Sequence, residues 1–467
     1  MKYLLLALLL LATGWLLPAA AQTYPVDTLV KTGPLSRRVN LVILPDGYQT
    51  IEMPLFRTRA QALMTSLFAQ TPFKEYQNYF NVFTVQVPST TSGAKHPKTA
   101  PDCGTVPVAT ATTTFNSTYD YGNIHRLLVP QSSVSISSVL AQNFPSYDQV
   151  LVLVNAADYG GSGGQWATSS AHASAGEIVI HEIGHSFAGL ADEYWAGAQY
   201  ARERPNMTQN ADPATTRWAA WLNSSGIGLY PHTTDPSWLK PHQNCKMQYL
   251  GSPFCAVCRE TLVERFHTLV AALQGYTPAA ATFSSPAAGP QFSLNLVLPQ
   301  PNTLRVTWTR DGTVVARNRA TLSLTPAQLG APGTHLVQAT VLDTTALTRA
   351  TQHATQHLYT VQWSVTQTAL GTQTSAALAA TYEVATFPNP TANELRLRYT
   401  LPRPGPVTLT VLDALGRTVG TRRYPQQAAG AHEVPLQVAE LGMAAAGVYQ
   451  LQLDMDGVVL SRPLVRE

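Results

Sequence analysis

The stretch His181-Glu182-Ile183-Gly184-His185 constrains this chain more than any other. Residues four apart share one face of an α-helix, so the pattern demands a helix here and lets both imidazoles reach one metal ion. Glu182 then falls beside that ion, close enough to take a proton from a water held on it. The flanks agree with a helix set on a sheet. Tyr147 to Val154 is almost wholly apolar and reads as a buried strand. The glycine-rich run Gly160–Gly164 reads as a loop. Ala173 to Leu190 reads as a helix whose apolar positions are Ile178, Ile180, Ile183 and Phe187. The plainer reading is a helix carrying two unrelated histidines, and the strand, loop and helix in that order weigh against it.

Two histidines on zinc require a third protein ligand, with a fourth position open to a water whose pKa falls from roughly 15.7 to about 7. Gly189 ends or bends the helix, because glycine tolerates the left-handed conformation. Asp192 lies three residues beyond it and is the leading candidate for the third ligand, with Glu193 the near alternative. Asp192 can instead orient a histidine without touching the metal. A glutamate from a later helix, Glu260 or Glu264, is another source. Glu182 is the candidate general base. Tyr194 either stabilises an oxyanion or packs beside Trp195.

The run His181-Glu-Ile-Gly-His-Ser-Phe-Ala-Gly-Leu-Ala-Asp-Glu-Tyr194 resembles the signature of the IgA-peptidase-like family of secreted bacterial zinc metallopeptidases. Asn40–Tyr48 is similar to the first strand and turn of that family, Tyr159–Gly164 to its glycine-rich loop, and Asn244–Met247 with Phe254–Cys258 to its closing segment. The resemblance covers about residues 34 to 275. It implies an α+β, zincin-like catalytic domain over 34–276, a mixed sheet plus an active-site helix. It further implies zinc (Zn2+) on His181, His185 and Asp192, Glu182 and Tyr194 as catalytic groups, and hydrolysis of peptide bonds in extracellular proteins, glycoproteins included. One extra residue separates His185 from its glycine, relative to the metzincin spacing. The β-rich domain that often precedes the catalytic part in the family has no counterpart here. By the same resemblance Met247 is a candidate for the methionine turn beneath the zinc; an ordinary core methionine is the other reading. The backbone near Gly160 to Gly164 is expected to pair with an extended substrate strand.

Residues 1–21 read as a secretory signal peptide, with Lys2, an apolar run from Tyr3 to Leu17, and Ala19-Ala20-Ala21 as the cleavage site. No later segment is apolar and long enough for a transmembrane helix. The expected location is outside the cell or on its surface. Four cysteines, Cys103, Cys245, Cys255 and Cys258, are then disulfide candidates. Cys255-x-x-Cys258 is half of a zinc knuckle, and because a second such pair is absent, bridges are favoured over a separate structural zinc. Charged residues make up 12% of the chain and the net charge is +3, with no basic run, which argues against nucleic acid as a partner.

A linker-like stretch at 277–281 closes the first domain. Residues 290–366 alternate in polarity, with a hairpin signal at Asp311-Gly312, and read as an immunoglobulin-like β-sandwich. Residues 367–383 read as a flexible linker. Residues 384–467 carry Phe387-Pro-Asn-Pro-Thr391, Leu395–Tyr399, Val407–Arg417 and Gly447–Leu453. These landmarks are similar to the C-terminal sorting domain of the Por (type IX) secretion system. That resemblance implies a small β-sandwich with the secretion machinery as its partner and passage across the outer membrane. The expected function is a secreted zinc metalloendopeptidase acting on protein or peptide substrates. Two rivals stand beside it: a surface binding or adhesion protein with a vestigial zinc site, and a zinc amidase acting on cell-wall or glycan-linked amides.

Overall fold

The computed structural model describes residues 23–368, 380–455 and 457–467. The expected signal peptide and most of the expected linker lie outside these residues. The first unit is built on a six-stranded sheet of β1 (Val26–Val30), β2 (Val39–Asp46), β3 (Phe80–Val85), β4 (Gln149–Val154), β5 (Gly161–Gly163) and β6 (Ala167–Ser170), in the order β1-β3-β2-β4-β6-β5. The four central strands are parallel, and β1 and β5 are antiparallel edges.

Every residue of β2, β3 and β4 is buried, because the sheet is covered on both faces. Alternation along the strands sorts two cores. Leu41, Ile43, Leu151 and Leu153 point toward helices α1 (Met53–Phe68), α3 (Ala175–Ala188) and α4 (Ala256–Leu269). Val42, Leu44, Val150 and Val152 point the other way, toward α2 (Ser133–Asn143) and Phe115. The apolar side of α3, with Val179, Ile180, Ile183 and Phe187, faces the first core. The polar stretch from Arg204 to Pro241 also builds this core, through Trp218, Trp221 and Ile227.

A β-sandwich follows within the same unit. Its smaller sheet pairs Leu273–Thr277 with Gln291–Leu296, so the sandwich begins before the expected boundary at residue 290. The Asp311-Gly312 turn joins Leu304–Arg310 to Thr313–Arg317, with both turn residues at positive φ as a two-residue hairpin needs. Trp308 and Trp363 stack at its centre.

One face of α4 docks on the sandwich. The Glu260 carboxylate accepts from the Arg349 backbone N–H of the sandwich as well as from the Trp221 indole N–H of the first core (2.8 Å), and Glu264 meets His353 Nδ1 (2.7 Å) and His357 Nε2 (3.2 Å). Asp343, at the end of a sandwich strand, accepts from Tyr76 (2.6 Å), His267 (3.0 Å) and Thr303 (2.6 Å).

The second unit, residues 366–467 with 330–334, is separate. A three-stranded sheet (Ala385–Phe387, Glu394–Leu401, Gly430–Gln437) and a four-stranded sheet (Thr418–Gln427, Gly405–Leu412, Gly447–Met455, Val458–Arg466) enclose one core that includes Leu397, Leu409 and Leu453.

Burial opposes the charge on Asp343, but the bonds from His267, Thr303 and Tyr76 outweigh it and hold the carboxyl below its usual range. A lowered folded pKa contributes stability above the unfolded value of about 3.9 and loses it as pH falls through the folded value. Asp343→Ala is expected to destabilise the first unit by about 2–4 kcal/mol at neutral pH. In chemical denaturation the gap from wild type should narrow below pH ~4, and a gap independent of pH would refute the assignment.

Candidate metal centre and cleft

Helix α3 ends in a turn that the sequence dictates. Gly189 sits at φ 67°, and its N–H bonds to the His185 carbonyl (2.9 Å) while the Leu190 N–H reaches back to Gly184 (3.1 Å). This is an αL cap with a second, longer bond behind it, and its left-handed residue reverses the chain at little cost only as glycine. The reversal brings Leu190 and Asp192 back over the helix and accommodates the extra residue after His185.

His181 Nε2 and His185 Nε2 lie 3.1 Å apart, and Asp192 Oδ1 lies 3.1 Å from the first and 3.2 Å from the second. The other ring nitrogens are engaged: His181 Nδ1 with the Lys246 carbonyl (2.9 Å), His185 Nδ1 with the Leu190 carbonyl (2.7 Å). Each Nδ1–H therefore donates to backbone, which leaves both Nε2 atoms as acceptors turned to one point. The three donors have the residue types and the spacing that a small divalent cation takes.

Electrostatics couples the cluster. Burial disfavours a charged His185, yet the Asp192 carboxylate prevails and raises its pKa to about 9, a bias that a cation held between the two Nε2 atoms would reverse. Asp192 is held well below the usual carboxylate range, since the two histidines outweigh its burial. Burial pushes the Glu182 carboxyl up. Burial, and then the Asp192 charge, pushes the Tyr194 hydroxyl up, keeping it a neutral donor. Tyr194 stacks near-parallel to the His181 ring at 6.5 Å between centroids, and the Arg126 guanidinium lies over the Tyr194 ring at 5.9 Å.

The cluster lies in a cleft of about 1000 Å³ whose walls include Arg126, Tyr159, Trp166, Tyr194 and Arg204. Edge strand β5 borders it. Alternation turns the backbone groups of Gly161 and Gly163 away from β6. Those of Gly161 bond to the Arg126 carbonyl (3.2 Å) and the Leu128 N–H (3.3 Å), while Gly163 lines the cleft. Both glycines are sterically required. A Cβ on Gly161 would fall 2.5 Å from Ile178 Cγ2, and one on Gly163 would fall 2.5 Å from His185 Cβ and 2.8 Å from a Glu182 carboxylate oxygen.

The structure separates the candidates that sequence left open. Asp192 joins the two histidines. Glu193 turns away, fully buried, to Asn206 and to Cys245, Cys255 and Cys258. Glu260 and Glu264 face the sandwich. Met247 is fully buried, and its sulfur lies 2.8 Å from where a Cβ on Gly184 would stand, so it packs under the helix between the two histidines. The expected preference for disulfides is not met: all four cysteines are buried free thiols, and Cys245 and Cys258 are 3.7 Å apart at sulfur, against about 2.05 Å for a bond.

Sequence reasoning missed Arg126, the Lys246 carbonyl and Asn206. The Asn206 amide brackets residue 191, accepting from its N–H (2.7 Å) and donating to its carbonyl (2.9 Å), and so fixes the strap that carries Asp192. Each acts across a long sequence separation, and only the glycine-rich loop hinted at a neighbour for Arg126.

Residues 28–235 match the model of the IgA peptidase M64 family. The match supports a peptidase, and M64 peptidases are metallopeptidases. No curated protein matches the chain. Solved structures similar to parts of it include the group B Streptococcus pullulanase SAP (11% identity, 39% of this chain and 22% of that one, TM-score 0.14). Bacteroides uniformis beta-glucuronidase 3 (11%, 49% and 28%, TM-score 0.15) and extracellular domains 3–5 of Drosophila OTK (9%, 42% and 65%, TM-score 0.15) are others. The chain spans less than two thirds of each, and likenesses this weak carry no argument about fold or function.

Gly163→Ala must displace either β5 or His185. The expected outcome is a metal affinity lower by ~10–100-fold, read by competition with a chelator. An unchanged affinity would mean that the strand yields and the histidine does not.

Proposed function

We propose that this chain is a secreted zinc endopeptidase. The observation that carries the reading is the set of three donors, 3.1–3.2 Å apart, in an open cleft with a carboxylate on one side and an edge strand on the other. The parallel sheet with an antiparallel edge beside the metal-binding helix supports a zincin-like plan. His181, His185 and Asp192 would hold the ion, and zinc suits two imidazoles and a carboxylate. When bound, zinc polarises the scissile carbonyl and makes water acidic enough to attack at neutral pH.

The chain's own groups do the rest. Glu182 accepts the proton of the attacking water and returns it to the leaving amine. Its burial raises its proton affinity, which suits a group that must both take and give. The neutral Tyr194 hydroxyl donates to the oxyanion, and Arg126 holds the ring in place. The outward backbone of Gly163 pairs with an extended peptide, as strand addition does elsewhere. The family match makes extracellular proteins, glycoproteins among them, the substrate class to test first.

Export rests on the expected signal peptide and on the second unit, whose two-sheet core is compatible with a type IX sorting domain and its secretion machinery. Among the described residues no helix is long and apolar enough to cross a membrane.

The test is metal analysis with cleavage profiling against a peptide library, wild type beside two variants. Glu182→Gln should keep its zinc and lose ~10²–10⁴-fold in kcat/KM. Tyr194→Phe should lower kcat by ~10–100-fold with KM little changed, since the lost bond forms only in the transition state. A zinc-loaded wild type that cleaves no peptide would defeat the proposal and turn attention to a binding protein or an amidase.

A further inference from the structure

Behind the cleft, the strap residue Glu193 meets Cys245, Cys255 and Cys258 from more than fifty residues further along the chain, with one ligand atom from each lying within 4.8 Å of the others. All four are buried, and Glu193, Cys245 and Cys258 have no exposed surface. We infer that this cluster is a structural metal site of the zinc class, distinct from the one in the cleft.

Four observations carry it. The Cys245 and Cys258 sulfurs are 3.7 Å apart. A tetrahedral ion with Zn–S distances of about 2.3 Å sets its thiolates about 3.8 Å apart. Glu193 Oε1 lies 3.3 Å from Cys258 Sγ and 3.9 Å from Cys255 Sγ, at the separations of mixed oxygen and sulfur ligands. Its other oxygen, Oε2, is buried without any protein partner, a costly state for a carboxylate and a natural one for a ligand. Cys255 caps α4 and Cys258 lies in its first turn, while the Cys255 N–H points at Cys245 Sγ (3.3 Å), so the start of the helix gathers two of the sulfurs and a backbone donor faces the third.

The site ties three segments into one. Glu193 directly follows Asp192, and its N–H donates to the Met247 carbonyl (2.8 Å). Lys246, beside Cys245, supplies the carbonyl that holds His181. A metal here would fix both the third donor of the cleft and the carbonyl that orients the first. It would be a positioning element, with no contact to substrate.

A different observation carries a second site. His96 Nε2 and His125 Nδ1 lie 3.0 Å apart, and Asp120 Oδ1 lies 3.0 Å from His125 Nδ1, 3.5 Å from His96 Nε2 and 3.0 Å from Cys103 Sγ. These separations match those of the cleft donors. His96 Nδ1 faces the Pro107 carbonyl (3.0 Å), the same backbone anchoring seen for His181 and His185. The surrounding segment holds two-residue strands and one short 3-10 helix, Tyr121–Asn123, so it has little regular structure of its own. His125 adjoins Arg126, whose carbonyl pairs with β5. We infer that a metal of the same class staples this loop.

The test uses the full chain, purified without reductant and loaded with zinc, with metal counted per chain. The His181→Ala/His185→Ala variant removes the cleft site alone. It should bind one equivalent less than wild type and still hold the other two, a result independent of whether the protein is a peptidase. Cys255→Ser/Cys258→Ser and His96→Ala/Cys103→Ala should each lose one equivalent more. Cobalt(II) loaded into the histidine variant with Cys103→Ser added should show thiolate-to-metal charge transfer, since the remaining cysteines are those of the first site. Thiol titration of the denatured, metal-stripped wild type should find all four thiols. Two missing thiols would mean a Cys245–Cys258 bridge and would overturn the first site. No metal in the histidine variant would overturn both. If the Cys255→Ser/Cys258→Ser or the His96→Ala/Cys103→Ala variant fails to fold, the cobalt spectrum with Cys245, Cys255 and Cys258 intact and the thiol count of the wild type still decide the first site, and the metal count of the histidine variant decides whether one site or two remain.

Discussion

The architecture of the cleft depends on one backbone conformation, the left-handed turn at Gly189. Helix α3 can offer only the donors that its 3.6-residue period aligns, and those are His181 and His185. Everything else must come back from outside the helix. The cap at Gly189 returns the chain in a single step, so the Leu190 carbonyl meets His185 Nδ1 and Asp192 meets both Nε2 atoms. The Asn206 amide and the Met247 carbonyl then hold the returned strap from two sides. Since both imidazoles spend one nitrogen on backbone carbonyls, their tautomers and ring planes are set by the fold.

Much of this was legible in the sequence because it is local. The H-E-x-x-H spacing implies a helix and a shared face with no knowledge of tertiary structure. The unbroken apolar run of Val150 to Val154 implies a strand covered on both faces, and it lies in the middle of the sheet. What was not legible depends on contact across the chain. Asp192 and Glu193 are adjacent carboxylates with nearly the same chemistry, and nothing local says that one turns to the histidines and the other away from them. The choice is made by Asn206 and the cysteines, which approach from elsewhere. Glu260 and Glu264 looked like ligand candidates because helical acids near a metal motif often are. Their partners, Trp221, His353 and His357, lie partly in a domain whose docking no spacing rule describes. The cysteines were misjudged for a related reason. The rule that pairs one C-x-x-C with a second has no place for a donor set completed by a single cysteine and a glutamate.

The docking of α4 on the sandwich gives the second half of the first unit a share in the cleft. One helix presents Cys258 to the strap on one side and Glu260, Glu264 and His267 to the sandwich on another. Its start is tied to the strap and its length to the sandwich, so one helix is shared by both.

Edge strand β5 is only three residues long, and the outward groups of Gly161 are already bonded to the chain around Arg126 and Leu128. On the proposed reading, a visiting peptide would find a single rung, at Gly163, on which to align its backbone. One rung fixes direction and register but gives little grip. Tenacity must come from the side walls, and a cut fragment, once its ends are parted, has almost nothing of the ladder to keep it from leaving.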